Sequence, residues 1–334
     1  MDLLPDDEQT AIAASARELI GALSPPERLR TLPPDAPVTE PKLWQAAARQ
    51  GFFVLDVPEE DGGAGLGLAE QTLVFRELGR SLAAGPFLGT VVAAQVAVAI
   101  ADADLLDQVA DGRLPVGLAD PLGSGLFRTF DADDARAFVI VSPDGAAVHD
   151  ADAVEIVRRR PCVDVASRWA EFRVVGEPRA RAGREVFDAL PYASVLVAAM
   201  LSGICEATRD QSAAYAKVRV QFGLPIGTFQ AVKHRCADEA VRAEAATQIV
   251  TLAALAVHDG RPDADLLWAA ARSVTADHAM RNAADNIQNH GGIGYTAEHD
   301  AHLFLKRAQV LADLLLTPLD VRTAILEAPE ARPA

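Results

Sequence analysis

The sequence predicts an α+β chain with a helical N-terminal domain over residues 1–112, a small β domain over 113–183 and a helical C-terminal domain over 184–328. Three observations predict it. Both ends repeat apolar residues at helical spacing, and the middle breaks into short β-branched runs between Pro, Gly and Asp. Abundant alanine with only 5% aromatic residues favours helices packed through small side chains.

In order along the chain, the acids Asp6, Asp7 and Glu8 open an amphipathic helix running to Leu23, and a second helix surrounds Trp44. Residues 56–65 carry one proline and three glycines and read as a loop. A third helix spans 70–82, with Leu73, Phe75 and Leu78 apolar. Runs at 137–141, 153–157 and 171–175 predict strands of a small antiparallel sheet. Long helices then follow over 192–218, 229–258 and 265–290.

Bulk properties narrow the function classes. The 334-residue chain has a formal charge of -16, which argues against a nucleic acid or an anionic membrane as partner. Any phosphate-bearing ligand then needs a local cluster of donors. The most apolar run, 88–100, falls short of the roughly 20 residues that span a bilayer. The acidic start lacks a signal-peptide pattern, and Cys162, Cys205 and Cys236 lie far apart, so a soluble cytoplasmic protein with reduced thiols is expected.

Two motifs carry the chemistry. The first is RVQFGLPIGTFQ at 219–230, a glycine-containing turn between two helices, flanked by Arg219 and Gln230. A guanidinium grips a phosphate by forked hydrogen bonds, and exposed turn amides add donors. The second is QNHGGIGY at 288–295, a helix ending in glycines. Each alone also reads as an ordinary helix–helix turn.

Together, in identity, order and spacing, and with the loop at 57–65 followed by GLAEQTLVFRELGR, they resemble the acyl-CoA dehydrogenase family over most of the chain. The resemblance implies a C-terminal four-helix bundle and FAD bound between subunits. It also implies that Arg219, Phe222, Gln230, Gln288, Gly291 and Gly292 lie against the ADP half of a neighbour's flavin. The implied reaction is α,β-dehydrogenation of an acyl thioester, with a carboxylate taking the α proton and flavin accepting the hydride.

The family's proton acceptor is missing at both places where it is found. Counting 24 residues on from Gly291 reaches Leu315, and 30 back from Gly223 reaches Ala193. The family's TExxxGSD-like segment corresponds to 118–125, which departs from it, and a later WITN-like segment has no counterpart. The expected role is therefore that of a non-catalytic subunit in a heteromeric enzyme whose full-length partner binds the acyl-CoA and supplies the base and the isoalloxazine site. By analogy the acyl group is a steroid side chain. Two alternatives stand beside it: a self-sufficient homotetrameric flavoenzyme using Asp313 or Asp120 as base, and a flavin-free scaffold.

Other clusters invite blander readings. Glu298, His299 and His302 could ligate a metal, but helix capping or interface packing is favoured. Lys233, His234 and Arg235 form a solvated basic face or assist phosphate binding, and Arg158, Arg159 and Arg160 guard a sheet edge.

Overall fold

A computed structural model describes residues 3–33 and 36–328. Local signals set the N-terminal helices. α1 (Asp7–Leu23) starts where Asp6 accepts from the Gln9 amide at 2.8 Å, while the Gln9 side chain accepts from the Asp6 amide at 3.1 Å. This reciprocal cap satisfies two amides that a helix start leaves unpaired. α2 (Pro41–Arg49) begins on a proline, whose missing N–H costs nothing in a first turn. In α3 (Leu68–Arg80), Glu70 accepts from the Gly67 amide at 2.8 Å. α4 (Phe87–Ala99) is apolar all round and almost wholly buried, the central position that such a helix must take. α5 (Ala103–Ala110) closes the domain, capped by Asp102.

The middle sheet comprises β1 (Val116–Gly123), β2 (Leu126–Thr129), β3 (Ala137–Ser142), β4 (Gly145–Asp150), β5 (Val154–Arg160), β6 (Trp169–Val174) and β7 (Ala180–Gly183). Their spatial order is β5-β6-β2-β1-β3-β4-β7. The purely antiparallel expectation is corrected here, because β1 and β3 pair in parallel. β2 turns back along one edge of β1, so β3 re-enters on the other edge in β1's own direction. Leu118, Val139, Val141 and Val148 face the helices, while Ala119, Phe138, Ile140 and Phe172 form a second small core on the opposite face. β5 is an edge strand, and its exposed Arg159 and Arg160 pair with Asp133 and Glu171.

α6 (Ala189–Val218) enters the C-terminal domain and ends in a hairpin of β8 (Val220–Gln221) and β9 (Leu224–Pro225). α7 (Gln230–His258), α8 (Ala264–His290) and α9 (Ala301–Ala312) complete a four-helix bundle with α6, and α10 (Pro318–Glu327) lies on α8. The N-terminal domain is seated on this bundle where α3 crosses α6. A Cβ on Gly79 would lie 2.0 Å from the Met200 carbonyl oxygen, and one on Gly203 would lie 1.9 Å from that of Arg76. Only glycine at both positions permits so close a backbone approach.

Candidate functional site

The two sequence motifs come together at one end of the bundle. Tyr215, in the last turn of α6, stacks on His290, the last residue of α8, with ring centroids 4.2 Å apart. Arg235, early in α7, donates to Asn289 Oδ1 at 2.8 Å. Arg219 caps α6, Gln230 opens α7, Gln288 lies in the last turn of α8, and Gly291 ends that helix at φ 62°. Arg219, Phe222, Gln230, Gln288 and Gly292 are exposed, and Gly291 is half-buried. No atom within 4 Å would meet a Cβ on Gly291 or Gly292, so there is open space beside both, while the Gly291 amide donates to the Gln288 carbonyl.

The hairpin explains the Phe-Gly pair. Its two central residues, Phe222 and Gly223, have φ of 52° and 79°. Positive φ at both is the two-residue turn whose twist matches paired strands. Glycine takes that conformation freely, whereas a bulky phenylalanine does so at a cost of about 1 kcal/mol. The result holds the Phe222 ring out at 92% exposure; Val220 and Leu224 of the same hairpin are exposed too, as are Ile293 and Tyr295 of the second motif. Arg219, Lys233 and Arg235 provide positive charge at this end of an otherwise acidic chain. Exposed apolar side chains with guanidinium groups at the same end of the bundle are chemistry suited to a ligand with phosphates and a flat ring.

The places where a base is expected carry none. Ala193 is fully buried inside α6, next to Tyr192, whose hydroxyl donates to Asp56 Oδ2 at 2.6 Å. Leu315 is 8% exposed and adopts φ 70°. The segment around it is clamped by two arginines. Arg272 is buried in α8 and donates to the carbonyls of Leu311 at 3.1 Å, Ala312 at 3.4 Å and Leu314 at 2.9 Å. Cationic donors on the negative end of α9 are the favourable polarity, but burial still depresses the guanidinium to about 10. Arg128 of β2 donates to the Asp313 carbonyl at 2.5 Å and to both carboxylate oxygens of Asp120, at 2.7 to 3.1 Å.

Asp120 therefore holds the position expected to wrap an isoalloxazine, yet it is tied to Arg128 and 3% exposed. Burial raises its pKa despite that partner. The hairpin from β1 to β2 turns tightly through Gly123, Ser124 and Gly125, all at positive φ. A tight turn and a buried ion pair leave no exposed donor at Asp120 to meet a flat ring, whereas the exposed Arg219 guanidinium at the bundle end is a donor of the kind a phosphate needs. Asp313 caps α9 and contributes its carbonyl to Arg128.

Sequence reading missed Arg128, Arg272 and the polar seam of α8. A signal was present: Arg272, Thr275, Asn282, Asn286 and Asn289 recur at helical spacing on the face that also carries Ala279. Polar residues on a buried stripe announce a hydrogen-bonded seam. The segment at 297–302 caps and packs as follows: His299 Nδ1 accepts from the Ala301 amide at 3.1 Å, and its ring packs against His290 at a tilt of 47°, centroids 4.3 Å apart. Among the described residues, no group of three or more His, Cys, Asp or Glu side chains is placed to hold a metal ion.

Comparison with known proteins agrees with this architecture. Residues 6–103 match the acyl-CoA dehydrogenase N-terminal domain, and 185–313 match the C-terminal domain of the same family. Acyl-CoA dehydrogenase IpdE2 of Mycobacterium tuberculosis is 33% identical, with 96% of each chain covered. The Tcur3481–Tcur3483 steroid ACAD superposes with a TM-score of 0.84 at 24% identity, covering 96% of this chain and 97% of that one. The ChsE4–ChsE5 complex of Mycobacterium tuberculosis superposes with a TM-score of 0.82 at 23% identity, over 100% of both chains. With its two domain matches, its full-length relative and its helical–sheet–helical fold, this chain belongs to the acyl-CoA dehydrogenase family.

Proposed function

We propose that this chain is the non-catalytic subunit of a heteromeric, cytoplasmic acyl-CoA dehydrogenase. In that assembly Arg219, Phe222, Gln230, Gln288, Gly291 and Gly292 contact the ADP half of an FAD whose isoalloxazine is held by a full-length partner. The observation that carries the reading is the buried clamp at residues 313–315: an aliphatic side chain stands where the base belongs, fixed by Arg128 and Arg272. The partner binds the acyl-CoA and provides the carboxylate for the α proton, and the bound flavin supplies the hydride acceptor. This chain's residues orient the cofactor's phosphates and adenine by guanidinium, amide and aromatic contacts. The similarity to a steroid ACAD and to the ChsE4–ChsE5 complex supports a two-chain assembly with a bulky polycyclic acyl group.

The test is substitution within the reconstituted complex. Arg219→Ala with Gln230→Ala lowers flavin retention at least tenfold while the complex still assembles. Unchanged flavin content in that variant instead favours a scaffold role.

A further inference from the structure

The polar seam beneath the bundle end fixes a proton count. Glu239 of α7 has no solvent exposure. Its Oε1 lies 2.7 Å from Ser212 Oγ on α6, and the same Oγ lies 3.2 Å from Asn286 Oδ1 on α8. Ser212 has one hydroxyl hydrogen, so an ionised Glu239 would leave one of these two acceptors without a donor. A proton on Glu239 completes the series. The carboxyl donates to Ser212, Ser212 donates to Asn286 Oδ1, and Asn286 Nδ2 donates to Gln211 Oε1 at 2.9 Å. The other oxygen, Oε2, accepts from Asn289 Nδ2 at 3.4 Å, and Asn289 Oδ1 in turn accepts from Arg235.

The opposite sense, with both amides rotated and Glu239 ionised, would bury a carboxylate without an ion pair, because among the described residues no cation forms a salt bridge with it. The charges around it are Arg235 and Arg242 of its own helix and Asp285 of α8, with the Cys236 thiol beside it. Both arginines pair with Asp285, and α6 contributes the neutral Ser212 and Gln211. Asn289 directly follows Gln288, and Asn286 lies one turn earlier. The seam therefore fixes the last turn of α8 and the glycines behind it.

We propose that Glu239 is a positioning residue: a buried, neutral carboxylic acid that joins α6, α7 and α8 and sets the α8 terminus that carries Gln288, Gly291 and Gly292. Its link to flavin rests on the function proposed above, and its link to folding does not. Burial lifts this carboxyl to about 8, with Asp285 adding to the rise and Ser212, Arg242 and Arg235 opposing it. The native state then holds a proton that the unfolded chain has released. The stabilisation is complete below about 4.5, the ordinary glutamate range, and is lost as pH rises through about 8.

Urea unfolding of the full chain from pH 5 to 9 tests this for wild type, Glu239→Gln and Glu239→Ala. The folding constant of wild type falls by up to about tenfold per pH unit more steeply than that of Glu239→Gln, whose amide donates to Ser212 at every pH. In the co-purified complex, wild type loses flavin affinity above about pH 8. Glu239→Gln holds it at pH 7 and pH 9, and Glu239→Ala loses it at both. Parallel stability profiles for wild type and Glu239→Gln overturn the inference, even if Glu239→Ala does not fold. A sound stability difference in a complex that never holds flavin overturns the proposed function and leaves the proton assignment standing.

Discussion

Arg128→Met probes the buried ion pair that ties β1 to the end of α9. The substitution leaves Asp120, 3% exposed, as a buried carboxylate without a partner and strips the Asp313 carbonyl of a charged donor at 2.5 Å. A unit charge pair at roughly 4 Å is worth about 4 kcal/mol at an effective dielectric of 20, and breaking one side of a buried pair costs about 3–5 kcal/mol. The expected loss at pH 7 is therefore about 3–5 kcal/mol in urea unfolding followed by ellipticity. Asp120→Asn with Arg128→Met removes the stranded charge and restores all but about 1–2 kcal/mol. The pH dependence has a fixed sign. Burial already raises the Asp120 carboxyl with Arg128 opposing it, so losing Arg128 raises it further. The native variant then takes up a proton on acidification, and its deficit shrinks as pH falls from 7 towards 4. A single variant within about 1 kcal/mol of wild type, or a double variant no better than the single one, refutes the reasoning.

Leu315→Glu places a carboxylate at the vacant base position, yet at φ 70° and 8% exposure it destabilises the chain by about 2–4 kcal/mol and gives no thioester oxidation by the isolated chain. Gly203→Ala drives a methyl into the Arg76 carbonyl 1.9 Å away and costs at least about 2 kcal/mol by thermal melt, whereas the same change at exposed Gly292 stays within about 0.5 kcal/mol. Asp131 lines a cavity of about 60 Å³ with Arg307 and is lifted to about 7 by burial and the Asp134 charge, with Arg307 opposing. Its stabilisation is present below about 3.8 and lost as pH rises through about 7, so Asp131→Asn flattens that slope and gains roughly 2–4 kcal/mol over wild type at pH 8.

What the sequence made legible was local. The acids at Asp6 to Glu8, the glycines closing α8 and the 3.6-residue rhythm of α6 to α8 each act within a turn or two of the chain, and element ends fell close to expectation. Strands β1, β2, β4 and β7 were passed over; β2 and β7 have only four residues and owe their existence to neighbours, and β1 and β4 are broken by Gly, Pro or Asp. Missing β1 and β2 also hid the parallel β1–β3 pairing. At the site, the two motifs were readable by position, and so were Ala193 and Leu315, which the fold buries. Asp120 with Arg128, and Arg272 with the end of α9, were not, since each joins residues that only the tertiary fold brings together. Glu239 sat unnoticed in a polar-looking helix because nothing local distinguishes a buried carboxyl from a solvated one.

The most direct measurement is the flavin absorbance and thioester oxidation of the chain purified alone and co-purified with a full-length acyl-CoA dehydrogenase partner. The account predicts a colourless, inactive chain alone and a yellow, active complex whose flavin diminishes with Arg219→Ala. Stoichiometric flavin and turnover from the isolated chain would contradict it.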